Sequence, residues 1–356
     1  MRIQFFITGL GPGGAERQLT GLASMLTGKG YEVEVCWYTD INFYEQYLLQ
    51  NSVACRRLYT RNHFKKIWNI KSAIKAFRPD VVISFLDGPN TICPLMKILN
   101  RRFKLIVSER NTTLIQDWRS RLRFALYRWA DRIVPNSDSQ KQFILNHYPA
   151  YVQKTITITN FTDLHVFNCP EQSYSEITNI MVAARLTEPK NVKRFISAIS
   201  ILHKRNVNIR VKWFGKAFLQ TYEKECEELV KAEGLTDIFQ IMPPTRNIVE
   251  EYKACDVVCL PSLHEGFPNV VCEAMSCGRP VLCSNICDNS TLVSDGLNGY
   301  LFDPYSPKDM ADKIEKFCSL SKENKILMGR NSRQKAEKIL SKERFLNRYV
   351  ELIESL

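Results

Sequence analysis

No run of about 18 apolar residues occurs in this 356-residue sequence, so no transmembrane span is expected. None of its 12 cysteines stands in a Cys-x-x-Cys pair, which argues against a zinc ribbon or a thioredoxin-like site. Instead they are scattered, with Cys36, Cys259, Cys272 and Cys283 inside apparent strands or helices, as free buried thiols in a reducing cytosol would be. There is no Asp-x-Asp pair. The five histidines (His63, His147, His165, His203, His264) share no ligand spacing, and no Ser/His/Asp or Cys/His triad can be assembled from the sequence. His264 alone lies in a motif, where it reads as a turn residue.

The length suits two domains rather than one. A formal net charge of +12 is unevenly spread: residues 1–165 hold 23 Lys and Arg against 12 Asp and Glu, whereas the remainder hold 26 against 25. An excess confined to one half implies a face for an anionic partner, such as a membrane surface, a lipid phosphate or nucleic acid. Met1–Thr8 is too short for a signal peptide and reads as a first strand running into a glycine loop.

Short apolar runs alternate with amphipathic segments. Strands are expected at 3–8, 32–38, 54–58, 81–85, 105–108, 132–135 and 155–158, with helices such as 16–27, 64–77 and 119–130 between them. Residues 160–178 are polar and aperiodic and read as an interdomain linker. The rhythm restarts with strands near 179–184, 210–214, 239–242, 257–260, 281–284 and 299–302, and a charged helical stretch from Lys322 to Leu356. The expectation is an α/β protein of two doubly wound, Rossmann-like domains facing one another across a cleft, with ligands at the carboxyl ends of the strands.

The most informative stretch is His264-Glu265-Gly266-Phe267-Pro268-Asn269-Val270-Val271-Cys272-Glu273-Ala274-Met275. An apolar strand precedes it and a helix follows, ended by Gly278 and Pro280. Glu265 and Glu273 therefore flank a strand-to-helix turn. A helix start offers unpaired N–H donors to an anion, and the carboxylates can hold hydroxyls. A polyhydroxylated anion such as a nucleotide sugar fits both; two solvated surface glutamates are the plainer alternative. With Leu260-Pro261-Ser262 before it and Gly278-Arg279-Pro280-Val281 after it, the run resembles the Glu-x7-Glu signature of retaining glycosyltransferases of family 4, which have the GT-B fold.

That resemblance spans nearly the whole chain and implies roles for named residues. Arg185 and Lys190, in Ala184-Arg185-Leu186-Thr187-Glu188-Pro189-Lys190, match the cations that neutralise the nucleotide diphosphate; two ordinary surface cations are the alternative. They would stabilise charge on the leaving group, so no metal or other cofactor is expected. Glu265 would lie near donor-sugar hydroxyls and count with Arg185 and Lys190 as catalytic. Gly266, Phe267, Asn269 and Val270 would line the donor beside Pro268, which has no N–H. Glu273 would accept from ribose hydroxyls. Phe239–Met242 and Pro243 would flank the base. Gly13 and Gly14, in Gly9-Leu10-Gly11-Pro12-Gly13-Gly14-Ala15-Glu16-Arg17, match a first-domain loop that approaches the diphosphate; a Rossmann dinucleotide site is the alternative, weakened by Pro12.

On the acceptor side, Asp87, Asn90, Glu109, Arg110 and Asn111 follow strands of the first domain; ordinary loop polarity is the alternative for each. Many relatives carry a histidine in this region where this chain has Glu109 and Arg110. The resemblance implies an acceptor domain over 1–165, a donor domain over 166–335, and a terminal helix over 336–356 packing back on the first. Two basic stretches with aromatics, Arg56 to Arg78 and Trp118 to Arg132, suit peripheral contact with an anionic membrane at its inner face; aromatics facing the core and cations facing water is the alternative. No nucleic-acid recognition motif is present. The expected partners are a nucleotide-sugar donor, most simply UDP-linked, and a glycan or lipid-linked glycan acceptor in bacterial polysaccharide or glycolipid assembly. A nucleotide-sugar epimerase, a phosphorylase, or a silent nucleotide-sugar-binding subunit are the competing functions.

Overall fold

The computed structural model describes residues 1–60, 62–113 and 115–356, without the side chains of His63 and Phe64. Arg61 and the Phe64 side chain, both counted in the first basic stretch, and the side chain of His63 lie outside the described residues. The chain divides into two compact units, one of Met1–Asn160 with Glu343–Leu356, the other of Phe161–Lys342.

The first unit runs β1 (Arg2–Ile7), α1 (Gly14–Gly28), β2 (Glu32–Trp37), α2 (Glu45–Gln50), β3 (Ala54–Arg57), α3 (His63–Phe77), β4 (Val81–Phe85), α4 (Asp87–Leu99), β5 (Lys104–Glu109), α5 (Trp118–Leu126), β6 (Arg132–Pro135) and α6 (Asp138–His147). Its six strands pair in parallel in the order β3-β2-β1-β4-β5-β6. The inner strands are apolar nearly throughout, so both sheet faces are covered; every residue of β4 is buried.

The second unit runs β7 (Thr178–Ala183), α7 (Val192–Lys204), β8 (Ile209–Phe214), α8 (Gln220–Ala232), β9 (Phe239–Met242), α9 (Ile248–Ala254), β10 (Val257–Leu260), α10 (Asn269–Ser276), β11 (Val281–Ser284), α11 (Asn289–Leu292), β12 (Gly299–Phe302), α12 (Pro307–Cys318) and α13 (Lys322–Ile339), followed by α14 (Lys342–Glu354). Its parallel sheet has the order β12-β11-β10-β7-β8-β9. Counted from its own first strand, this is the arrangement of the first unit. Strand order reverses between β1 and β4 in one sheet and between β7 and β10 in the other, and in such sheets ligands bind beside the carboxyl ends at that switch.

Three departures from the expected elements have local causes. Residues 155–158 form no strand; Ile156 and Ile158 donate to Ile133 and Pro135 of β6, but Pro135 has no N–H to return. The helix expected over 119–130 stops at Leu126 and tightens into a 3-10 turn, Tyr127–Trp129, whose carbonyl end is capped by the Lys154 ammonium. Residues 160–178 carry no regular element before β7, yet Phe161, Phe167 and Tyr174 are buried, so this segment belongs to the second core. In the first unit, residues 343–356 bury Phe345, Tyr349, Leu352 and Ile353.

Candidate functional site

In the second unit the switch point is built from the loops after β7 and β10. Asn191 joins them. It adopts a left-handed conformation at φ 62°, tolerated by Asn, and its side-chain amide donates to the carbonyls of Pro261 (3.0 Å) and Pro304 (2.7 Å). The Leu263 N–H donates to the Pro189 carbonyl at 2.8 Å, adding a second tie. Lys190 ends a 3-10 turn, Glu188–Lys190, and the left-handed Asn191 separates it from α7.

This geometry brings Lys190 onto Glu265 as an ion pair, with both side chains largely withdrawn from solvent. The Ser262 hydroxyl donates to the same Glu265 oxygen at 2.6 Å. Among the described residues no carboxylate forms an ion pair with Arg185; its guanidinium lies over the exposed Phe218 ring at 5.0 Å. The loop after β7 thus carries a second cation besides the paired Lys190. Gly215 lets the end of β8 approach this strand end: a Cβ there would run into the Ala184 carbonyl.

Helix α10 starts at Asn269 after an extended Pro268 and has no side-chain cap, and first-turn N–H groups lack intrahelical partners. Phe267 turns its ring into the core, so its contribution here is confined to backbone. Gly266 and Val270 are part-exposed beside it. One turn into the helix, buried Glu273 accepts from the Tyr252 hydroxyl at 2.9 Å. Burial, then the Glu273 charge, holds the Tyr252 phenol well above its ordinary range, so it stays a donor. Behind the turn, buried Arg279 donates to the Tyr252 carbonyl at 2.6 Å, closing the end of α9. Phe239, expected near a base, lies in the core.

In the first unit, the loop after β1 leads through Gly13 into α1, whose first residue is Gly14. Glu16 folds back over Gly13, where a Cβ would strike its carboxylate. Burial pushes the Glu16 carboxyl up, opposed by its own backbone N–H. At the carboxyl ends of β4 and β5, Asp87 is exposed and pairs with Arg123 at 2.7 Å. Asn90 and Glu109 are buried: the Asn90 amide donates to the Ser108 carbonyl and to Glu109 (2.9 and 3.2 Å), and Tyr127 also donates to Glu109. Arg110 is buried too, bonded to Tyr349 of α14 and to Asn160 (3.0 Å). Asn111 is exposed. Thus three of the five acceptor-side candidates point inward.

Sequence reasoning missed Ser262, Tyr252, Asn191, Arg123 and Tyr127. Only Ser262, three residues ahead of Glu265, had a usable local signal. In the basic stretches, Ile70 and Phe124 are core, whereas Ile67, Trp68, Trp118 and Leu122 are exposed. Among the described residues no helix is long and apolar enough to cross a membrane, and no cluster of three His, Cys, Asp or Glu is arranged to hold a metal.

Residues 12–166 match the model of Glycosyltransferase Family 4, and residues 171–335 match that of Glycosyl transferases group 1. The GalNAc-alpha-(1->4)-GalNAc-alpha-(1->3)-diNAcBac-PP-undecaprenol alpha-1,4-N-acetyl-D-galactosaminyltransferase of Campylobacter jejuni is 30% identical over 293 residues, 77% of either chain. A D-inositol 3-phosphate glycosyltransferase of Paenarthrobacter aurescens is 28% identical over 52% of this chain, which spans 48% of that relative's length. The structure of Anabaena HepE in complex with UDP superposes with a TM-score of 0.87 over the whole of both chains at 20% identity, a likeness of fold. With a parallel sheet of the same strand order in each half, a family model matching each half and a relative 30% identical over most of its length, the chain belongs to the GT-B glycosyltransferases of family 4.

Proposed function

We propose that the chain is a retaining glycosyltransferase, moving a sugar from a UDP-linked donor to a hydroxyl of a glycan or lipid-linked glycan in bacterial polysaccharide or glycolipid assembly. The observation that carries this is the constellation at the β7/β10 switch point: Lys190 paired with Glu265, Arg185 earlier in the same loop after β7, and Glu273 on the helix that opens from the loop after β10. Two relatives lend support by their names, one bound to UDP and one acting in the context of an undecaprenol diphosphate.

In this reading Arg185 and Lys190 meet the diphosphate, and Glu265 exchanges part of its bond to Lys190 for a donor-sugar hydroxyl. Glu273, aimed by Tyr252, accepts from the ribose. The bond from C1 to the β-phosphate oxygen breaks as the acceptor oxygen adds on the same face. The acceptor proton passes to the departing phosphate oxygen, and the cations stabilise the charge that builds there. No protein nucleophile and no metal is assigned. The approach of Gly13 and Gly14 to the diphosphate belongs to the same proposal.

The exposed Trp68, Trp118 and Leu122 among the cations of α3 and α5 support peripheral binding to an anionic membrane. Co-sedimentation with phosphatidylglycerol vesicles but not phosphatidylcholine vesicles is the expected result. The donor is tested by thermal shift, since a ligand that binds only the native state raises its melting temperature. UDP should stabilise the chain more than GDP or ADP, and the product should keep the donor's anomeric configuration by NMR. An inverted product would overturn the mechanism.

A further inference from the structure

We propose that Asp87 is the group of the first unit that binds the acceptor's hydroxyl, and that Arg123 is the positioning residue that aims it. This deepens the acceptor side of the reading above and rests on it.

Asp87 stands at the switch point of its sheet, as the first residue of α4 directly after β4. The residue before it, Leu86, has φ 71° and ψ 163°, a backbone region that essentially only glycine occupies without strain. Strain of this kind persists where surrounding structure over-determines it, and here it sets the direction in which α4 leaves the strand. Asp87 is therefore placed by backbone and side chain together.

The side-chain part is one guanidinium. Arg123 of α5 lies 2.7 Å from Asp87 and 3.3 Å from Glu109, and its third nitrogen reaches the Thr113 hydroxyl at 3.3 Å. Side-chain exposure separates the roles: 56% for Asp87, 7% for Arg123 and 1% for Glu109. Glu109 is itself held by Asn90 and Tyr127, and Asn90 is fixed by the Ser84 hydroxyl at 2.7 Å. A buried chain of bonds thus ends at one exposed carboxylate. An Asp needed only to favour a helix N-terminus requires none of this support, since exposure and the dipole suffice.

The charges indicate what this carboxylate receives. Asp87 is bonded to Arg123 through one oxygen and is 56% exposed, so its carboxylate keeps acceptor capacity toward solvent, which suits a neutral donor such as a sugar hydroxyl held by a charge-assisted hydrogen bond. Of the other acceptor-side candidates, Asn90, Glu109 and Arg110 are buried, and among the described residues no side-chain hydrogen bond anchors the exposed Asn111.

The test measures transfer from UDP-N-acetylgalactosamine and UDP-glucose to a polyprenyl-diphosphate-linked N-acetylhexosamine. Wild type, D87N, R123K and the double variant are compared, with UDP binding followed by calorimetry. D87N should raise the acceptor KM or lower transfer about 10- to 100-fold, the loss of one hydrogen bond to a charged group, while UDP affinity stays within about twofold. R123K should give a smaller loss alone and no further loss in the D87N background, as expected of a residue that acts through Asp87. The inference is overturned if D87N keeps wild-type acceptor KM and rate, if its UDP affinity falls in step with transfer, or if R123K and D87N losses multiply. Failure of wild type to bind UDP would overturn the donor reading and this inference with it, and is read separately from the D87N comparison.

Discussion

Replacing Lys190 with Ala should weaken UDP binding, whereas replacing Glu265 with Gln should not. In the free protein the two form an ion pair, at 18% and 13% side-chain exposure, and Ser262 adds a 2.6 Å hydrogen bond to the carboxylate. A hydrogen bond to a charged group contributes about 1.5–3 kcal/mol net. If Lys190 meets the diphosphate, Lys190→Ala should weaken UDP binding roughly 10- to 150-fold, at ~1.4 kcal/mol per factor of ten. Glu265→Gln removes a negative charge beside the incoming phosphates and frees Lys190. The attraction of such a pair is at most about 4 kcal/mol at ~4 Å and an effective dielectric of ~20, and only part of it is recovered on ligand binding. UDP should therefore bind Glu265→Gln equally well or up to about tenfold more tightly, although transfer falls because the sugar loses its acceptor. Isothermal titration with UDP, at a temperature well below each variant's melting point, reads both effects. If both variants weaken UDP binding alike, or if Lys190→Ala binds within twofold of wild type while folded, the assignment of Lys190 to the diphosphate is wrong.

Three further outcomes follow from the same geometry. Tyr252→Phe leaves buried Glu273 without its 2.9 Å donor and should destabilise the second unit by about 1–2 kcal/mol, seen as a lower melting temperature, with nucleoside binding also weakened. Gly215→Ala drives a Cβ into the Ala184 carbonyl, so it should spread β8 from the Arg185 loop and reduce both stability and UDP affinity; an unchanged melting curve would contradict the close approach. Glu16→Gln should raise the melting temperature near pH 7 and make little difference near pH 4. Burial raises the folded-state pKa of Glu16, so its folded state is favoured below the unfolded value of ~4.3, and that advantage is lost as pH rises through the folded pKa.

Both sheets were legible because a strand buried on two faces must be apolar throughout, and β4 and β10 could be read as such from Val-Val-Ile-Ser-Phe and Val-Val-Cys-Leu. The glutamate pair was legible because Glu265 and Glu273 lie within one strand-turn-helix step. What supports them was not. Tyr252 comes 21 residues before the Glu273 it bonds, and Tyr349 comes 239 residues after the Arg110 it bonds. Such contacts depend on tertiary packing rather than on local pattern. The same holds for Glu109 and Arg110, polar residues after an apolar strand that looked like loop chemistry and are buried instead. Their partners Tyr127, Asn90 and Tyr349 sit on other elements, and without those partners burial of either charge would be prohibitive.

The two units also handle charge in the same way. At each switch point the residue of interest is paired before any ligand arrives: Glu265 with Lys190, Asp87 with Arg123. An unpaired charge in a partly buried site carries a desolvation cost that a pair offsets. It follows that ligand binding at the Lys190–Glu265 pair is an exchange of partners rather than the filling of an empty charge, with a free energy that is the difference between two good interactions, whereas Asp87 keeps Arg123 on one oxygen and receives its ligand on the other. Affinity at the Lys190–Glu265 pair should then be moderate and steeply sensitive to either partner. Arg185, with a ring beneath it in place of a carboxylate, is the exception, and for that reason it should contribute more to UDP affinity than Lys190 does. Arg185→Ala costing less UDP affinity than Lys190→Ala in parallel titrations would refute this ordering.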